Sequence, residues 1–553
     1  MGQISPATDD IRITNVAKGL QRHLTANQLN MLAFSGAIGT GLIIGTGSSL
    51  QNSGPGNLVL AFLVMGLVVQ GVMTALGEMA TNCPMKKGFA GYATRFVDPA
   101  LGFATGWNYF FKYIVLQPTN LTATGLLLQY WFKHLNVGIW IAVFGTCIVF
   151  LNIFDVKYYG RAQLYLGIIK GIVMLMMIIA CIVVSAGGGP TNEKIGFRYW
   201  KHDAFKKMDG TGLQGGAAHF AAFWYSMVQA TFAYTGVEIV GASFGEVQNP
   251  KKSIPKAIMM TPYRIVCVYI IGVFALSISV ASNNDMLLAA VNAKTKHDGG
   301  ASPFVIAVAS AGIRHLPDVW NGLLLVFTLS AANADVYTAA RTLHGLSKDS
   351  QAPKIFNGTN KWGVPIWAVG MSSIFICIGF LNCVSSTGAV FNNLVNVTVV
   401  LGALNWLNIL LAYFGWYRAR RAQGKSRNDL TYRGVGQPYL GIFSFCMTGL
   451  VIVTSSYQAW LPIFPVSRAI KIVTCYVGLG AYLFNITLCK LLKKTKRVNP
   501  AEADLNEEDE DDEVLPVVEP VETEDTRKIS PPGLGPFSFE LPQKTQKAPG
   551  LRT

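Results

Sequence analysis

Twelve runs of about 20 mostly apolar residues dominate this chain of 553 residues, each long enough for a helix to cross bilayer hydrocarbon. They cover 29–50, 57–80, 101–131, 137–154, 162–186, 218–243, 262–281, 319–343, 365–381, 388–417, 438–457 and 468–491. A backbone in hydrocarbon must satisfy its own N–H and C=O groups, so such runs read as helices. The expected fold is an all-α polytopic membrane protein with 12 transmembrane helices. Composition agrees: 51% of residues are hydrophobic and 14% charged, against about a quarter charged in soluble domains. A mean hydropathy of +0.37 excludes disorder for the bulk of the chain.

The sequence also removes several classes of function. Nine cysteines lie singly, mostly in apolar runs, with no C-x-x-C pair and no companion histidines. Neither a metal site nor a disulfide framework is signalled. The histidines, at 23, 134, 202, 219, 297, 315 and 344, form no catalytic set, so no catalytic residue and no cofactor is expected. Gly210, Gly212 and Gly215 fit G-x-G-x-x-G, but no strand precedes them and no βαβ unit surrounds them.

Net charge is +15, and the bases sit in short clusters between apolar runs, a pattern of membrane topology and not of a nucleic-acid partner. Lys86, Lys87, Arg95, Lys157, Arg161, Lys251, Lys252, Lys256, the cluster Arg418 to Arg433 and the cluster Lys490 to Arg497 fall on one side. Basic loops stay in the cytoplasm, which puts both termini there. Residues 1–27 are polar with no apolar h-region, so they read as a cytoplasmic tail and the first span acts as its own signal. The membrane domain is 28–491. Residues 492–553 carry the acidic run Glu507 to Glu513 and then Pro531, Pro532 and Pro536, and read as a disordered cytoplasmic tail. Any cytoplasmic regulators would act on the two tails.

Two segments interrupt their spans. Ser35-Gly36-Ala37-Ile38-Gly39-Thr40-Gly41 places three glycines and two hydroxyls in the middle of the first. Each glycine costs a helix interior about 1 kcal/mol, and unwound backbone at that depth survives only where it is buried or lines a cavity. A half-helix starting there aims bare N–H groups at an anion; close packing through small residues is the plainer use. Phe232-Ala233-Tyr234-Thr235-Gly236-Val237-Glu238 interrupts the sixth span, five spans later. Interrupted helices in matching positions of two halves mark the binding site of inverted-repeat transporters. The halves would be about 28–186 and 218–417, with helices 11 and 12 over 438–491.

These residues also carry a family resemblance. Gly36-Ala37-Ile38-Gly39-Thr40-Gly41, Gly77-Glu78 and Tyr92-Ala93-Thr94-Arg95-Phe96-Val97-Asp98-Pro99 resemble a fungal amino acid permease of the amino acid-polyamine-organocation superfamily. Thr235-Gly236-Val237-Glu238, Asn249-Pro250-Lys251-Lys252-Ser253-Ile254-Pro255 and Tyr337-Thr338-Ala339-Ala340-Arg341 continue the likeness, which spans 23–490. It implies a LeuT-type fold of five plus five inverted spans and two extra helices, and proton-coupled uptake across the plasma membrane. By this resemblance the substrate's carboxylate meets N–H groups near Thr40 and Gly41, and its ammonium meets carbonyls of Ile38, Phe232, Ala233 and Thr235. The candidate binding residues are therefore Ser35, Gly36, Ala37, Ile38, Gly39, Thr40, Gly41, Phe232, Ala233, Tyr234, Thr235 and Gly236, with Lys112 and Asn120 below.

Ionisable residues deep in a span are functional candidates by default. Lys170, in the fifth span, matches the lysine that related proton-coupled transporters use in place of sodium; its plainer role is a fixed counter-charge to first-span carbonyls. Glu238 and Asp335 are the further coupling candidates, while Glu78, near a span end, reads as structural.

Substrate choice is where the chain departs from its relatives. Many carry a glutamate before Leu-Thr-Ala in the third span, where Pro118-Thr119-Asn120-Leu121-Thr122-Ala123 supplies neutral Asn120. Lys112 stands eight residues earlier, where many relatives are neutral. A more positive site favours a second carboxylate, as in the dicarboxylic and general branch of these permeases. The expectation is import of glutamate, aspartate and some neutral amino acids, driven by the proton gradient. The rivals are a neutral amino acid, proline or γ-aminobutyrate permease, and a transporter-like nutrient receptor.

Overall fold

Helix accounts for every regular element among the described residues, which are 31, 34–36, 38–85, 88–154, 156–201, 203–208, 212–242, 244, 250–291, 302–360, 362–460 and 468–506 of a computed structural model. Eight helical stretches among them are long and apolar enough to cross a membrane. The remaining expected spans fall on helices that are shorter or more polar.

The first two spans join end to end. A π-helical turn, Gly41–Gly45, leads into α1 (Thr46–Asn82). Gly54 breaks α1 with φ +84°, just before Pro55. The reason is a loop that presses into the kink: Gly56 donates to the Ala204 carbonyl at 2.7 Å, and Lys206 N–H to that of Ser53 at 3.1 Å. A Cβ at Gly54 would lie 2.6 Å from the Asp203 carbonyl oxygen.

A short helix, α2 (Gly88–Phe96), precedes α3 (Pro99–Leu128). Asp98 caps α3 by accepting from Ala100 N–H at 2.8 Å, and Pro99 sits where no helical donor is needed. Pro118 lies inside α3 and cannot bond the Ile114 carbonyl, which accepts from Gln117 Nε2 at 3.4 Å instead.

Then come α4 (Val137–Leu151) and α5 (Val156–Ser185). On α5 the buried Lys170, Val173, Met177, Cys181 and Val184 share one face, while Ile172, Leu175 and Ile179 are exposed on the other. That 3.6-residue spacing turns Lys170 inward, with its apolar neighbours toward lipid.

The second half runs α6 (Gly215–Tyr234), α7 (Ile271–Ser279), α8 (Leu316–Lys348), α9 (Ile366–Ile374) and α10 (Thr387–Ala422). Two further helices follow, α11 (Tyr439–Thr454) and α12 (Arg468–Lys493). The α3 helix packs against α8 and α10, and α1 against α6, so each half grips the other.

Past Lys493 the chain is laid against the bundle. Val498 N–H donates to the Val97 carbonyl at 2.9 Å, Thr495 Oγ1 to Asp98 at 2.9 Å, and Gln423 Nε2 to the Ala503 carbonyl at 2.6 Å. Arg95 donates to the Asp504 carbonyl and carboxylate and to the Asn506 carbonyl, at 2.8, 2.5 and 2.7 Å. Residues 494–506 thus form a docked strap within the stretch expected as a solvated tail from 492. The acidic run Glu507 to Glu513 and the tail of residues 1–27 lie outside the described residues.

Candidate functional site

The two interrupted spans meet. Residues 34–36 are helical, the chain bends at Ile38 and Gly39, and helical geometry resumes at Thr40. In the sixth span α6 stops at Tyr234, Thr235 is extended, and Gly236 takes φ +110° before the single turn Ile239–Ala242. Contact between the breaks is backbone to backbone. A Cβ at Gly41 would lie 2.5 Å from Ala233 Cα, and one at Gly236 would lie 2.5 Å from the Gly36 carbonyl oxygen. Among the described residues, a Cβ at Gly39 would meet nothing within 4 Å. The break therefore faces open space at Gly39 while the flanking glycines are pressed tight. Ala37 lies outside the described residues.

Polar groups behind the breaks tie them to the rest of the bundle. Thr40 donates through Oγ1 to Asn120 Oδ1 at 2.8 Å, and Asn120 Nδ2 donates to Asp335 Oδ2 at 2.6 Å. This chain joins the first span to α3 and α8, and all three side chains are buried. Lys170, with no exposed surface, donates to the Ser35 carbonyl at 3.1 Å and stands 5.7 Å from the Phe327 ring centroid. Ser35 Oγ donates to Gln163 on α5 at 3.1 Å. A cation at the last turn of a half-helix complements its bare carbonyls.

The sixth-span break has its own anchor. Glu238 pairs with Lys112, both fully buried, and its other oxygen accepts from Gly236 N–H at 3.1 Å and Trp406 Nε1 at 3.2 Å. Lys112 also lies 4.6 Å from the Tyr113 ring centroid. The carboxylate thus holds the unwound turn against α3 and α10. Thr235 donates its hydroxyl and its N–H to the Phe232 carbonyl, so that carbonyl is already occupied. Tyr234 points away from the break and donates to the Phe62 carbonyl at 3.1 Å.

Lys112 and Asn120, expected to act together, divide between different partners. Lys112 belongs to Glu238, Asn120 to Thr40 and Asp335. Among the described residues, two lysines and two carboxylates are buried around the breaks, so the cluster is balanced, and the positive bias expected from Lys112 is cancelled by Glu238. Asp335 stands within electrostatic reach of both Lys112 and Lys170. Sequence reasoning missed Trp406 and Gln163, because an indole or amide in an apolar run carries no sign of its partner. Glu78 is bonded by Arg427 Nη2 at 2.7 Å and by Gly434 N–H at 2.7 Å, far along the chain.

A bundle of apolar helices, with two interrupted spans meeting among buried charges, defines a multi-pass membrane transporter. Residues 28–499 match the amino acid permease family, and the chain belongs to it. It is 42% identical over 486 residues to an uncharacterised amino-acid permease of Schizosaccharomyces pombe, a match covering 88% of this chain and 92% of that one. It is 39% identical to the dicarboxylic amino acid permease of Saccharomyces cerevisiae, over 88% and 79% of the two chains. A proline-specific permease of the same yeast is 35% identical over 84% and 74%. These relatives are permeases, not enzymes. The solved manganese transporter of Eremococcus coleocola shares the fold, with a TM-score of 0.50 at 12% identity over 84% of this chain and 92% of that one.

Proposed function

We propose that this permease imports acidic and some neutral amino acids across the plasma membrane by alternating access, coupled to protons. The observation that carries the reading is the meeting of two broken helices at Gly41 and Ala233, with open space at Gly39. N–H groups at the restart of the first span suit a carboxylate, and carbonyls of the opposite break suit an ammonium. A substrate bridging the two breaks would favour the closed arrangement; the empty site lacks that differential.

Lys170 and Asp335 are the proposed coupling groups. Lys170 holds the end of the first half-helix through the Ser35 carbonyl, and Asp335 reaches the restart through Asn120 and Thr40. A proton gained or lost at either changes what holds the break. Glu238 is proposed as the anchor of the sixth-span turn, a structural share in coupling. The basic loops support both termini in the cytoplasm.

Support for acidic substrates comes from neutral Asn120 in the third span and from the dicarboxylic permease among the relatives. The balanced Lys112–Glu238 pair favours a second reading, a permease for neutral amino acids or proline. Radiolabelled glutamate uptake into proteoliposomes, competed with unlabelled amino acids, separates the two. Glutamate uptake blocked by aspartate upholds the first; proline entering while glutamate stays outside upholds the second.

A further inference from the structure

We propose that a basic cavity at the end of α10 binds a phosphate monoester, carried by a lipid headgroup or by a soluble anion. The cavity holds about 320 Å³ and opens where the chain leaves α10. Gly424, at φ +70°, turns the backbone, and Ser426 Oγ caps the turn Arg427–Asp429 by accepting from Asn428 N–H at 3.1 Å. The loop folds back over Trp416 and Glu78.

The floor of the cavity is electrically closed. Arg427 forks onto Glu78, with Nε to Oε1 at 2.9 Å and Nη2 to Oε2 at 2.7 Å. Glu78 also accepts from Gly434 N–H and, at 3.3 Å, from Tyr413 OH. Neither charge is left over for a ligand. The rim is different. Among the described residues Arg420 donates from Nη2 to the Ser426 carbonyl at 2.7 Å and lies 5.4 Å from the Trp416 ring centroid. Its remaining donors are held in a set orientation. Arg421 and Lys425, both exposed, make no side-chain hydrogen bond or ion pair among the described residues. The acid of the loop that faces Arg420 is Asp429. Three rim cations against that one carboxylate leave a surplus of two positive charges.

A phosphate monoester carries about −1.5 to −2 at pH 7 and three acceptor oxygens. It matches both the surplus and the donors, since guanidinium forks bind phosphate in pairs and an ammonium adds a point charge. A carboxylate would balance half the surplus. The cavity lies at the end of a membrane helix, on the side the basic loops assign to the cytoplasm, where anionic headgroups gather. Its volume is at the small end of ligand sites, enough for one phosphorylated ring.

The test uses the full purified chain and two probes. In native mass spectrometry, phosphatidylinositol 4-phosphate should be retained at least fivefold over phosphatidylinositol. Arg421→Gln with Lys425→Gln should bring that ratio to one, while Lys496→Gln with Arg497→Gln, on the same end of the bundle, leaves it. Alternatively, equal retention of the two lipids, with inorganic phosphate raising the unfolding midpoint of the wild type but not of the Arg421/Lys425 variant, would support the site and assign it a soluble anion. Equal losses in both double variants would mean general attraction to a basic surface and overturn the proposal. So would failure of both probes to distinguish the wild type from the Arg421/Lys425 variant.

Discussion

Lys112 and Glu238 have no exposed side-chain surface, so each needs the other. Removing one partner of a buried pair costs about 3–5 kcal/mol, because an uncompensated charge remains. Lys112→Met should therefore lower the unfolding midpoint and reduce glutamate and alanine uptake together, and Lys112→Met with Glu238→Gln should recover much of the stability. Selective loss of glutamate uptake at unchanged stability would show instead that Lys112 selects charge directly. Lys170→Ala should abolish proton-driven accumulation while counterflow of substrate survives; intact accumulation would remove this lysine from coupling. The charged candidates were legible in the sequence because an ion in an apolar run is costly and stands out. Their pairings were not, since Lys112 and Glu238 lie 126 residues apart and nothing local links them.

Within the first-span break, Gly41 and Gly39 do different things. Gly41→Ala would drive a Cβ to 2.5 Å from Ala233 Cα, so the half-helices must part. Uptake should fall more than tenfold, with the protein still inserted in the membrane. Gly39→Ala meets nothing within 4 Å among the described residues, so stability should be unchanged while the added methyl narrows the open space and raises KM. Thermal unfolding and uptake kinetics on both variants check the contrast. Both breaks could be read from the sequence because glycine beside polar groups in mid-span contradicts helix propensity. The π-helical turn Gly41–Gly45 could not, nor could the loop that plugs the Gly54 kink, since each depends on which distant segment packs there.

For the whole molecule, the long helices fell on the apolar runs read from hydropathy, while the short helix Gly88–Phe96 and the strap lie outside them: residues 494–506 are polar, and their docking rests on Arg95, Asp98 and Gln423. The strap covers Cys83, whose thiol is fully buried and donates to the Asn506 carbonyl at 3.3 Å. Truncation after Lys493 should speed maleimide labelling of Cys83 in a background lacking the other cysteines. Unchanged labelling would show that the strap does not cover this thiol. Asp504→Arg alone should have a smaller effect, because one exposed ion pair contributes at most about 1 kcal/mol. If these interrupted helices carry amino acid and proton together, labelled substrate in sealed proteoliposomes, glutamate first and proline if glutamate is not carried, will show it most directly, with and without an imposed inward proton gradient. Accumulation above the external concentration should occur only with the gradient and be abolished by a protonophore. Uptake that merely equilibrates, unaffected by the gradient, would contradict it.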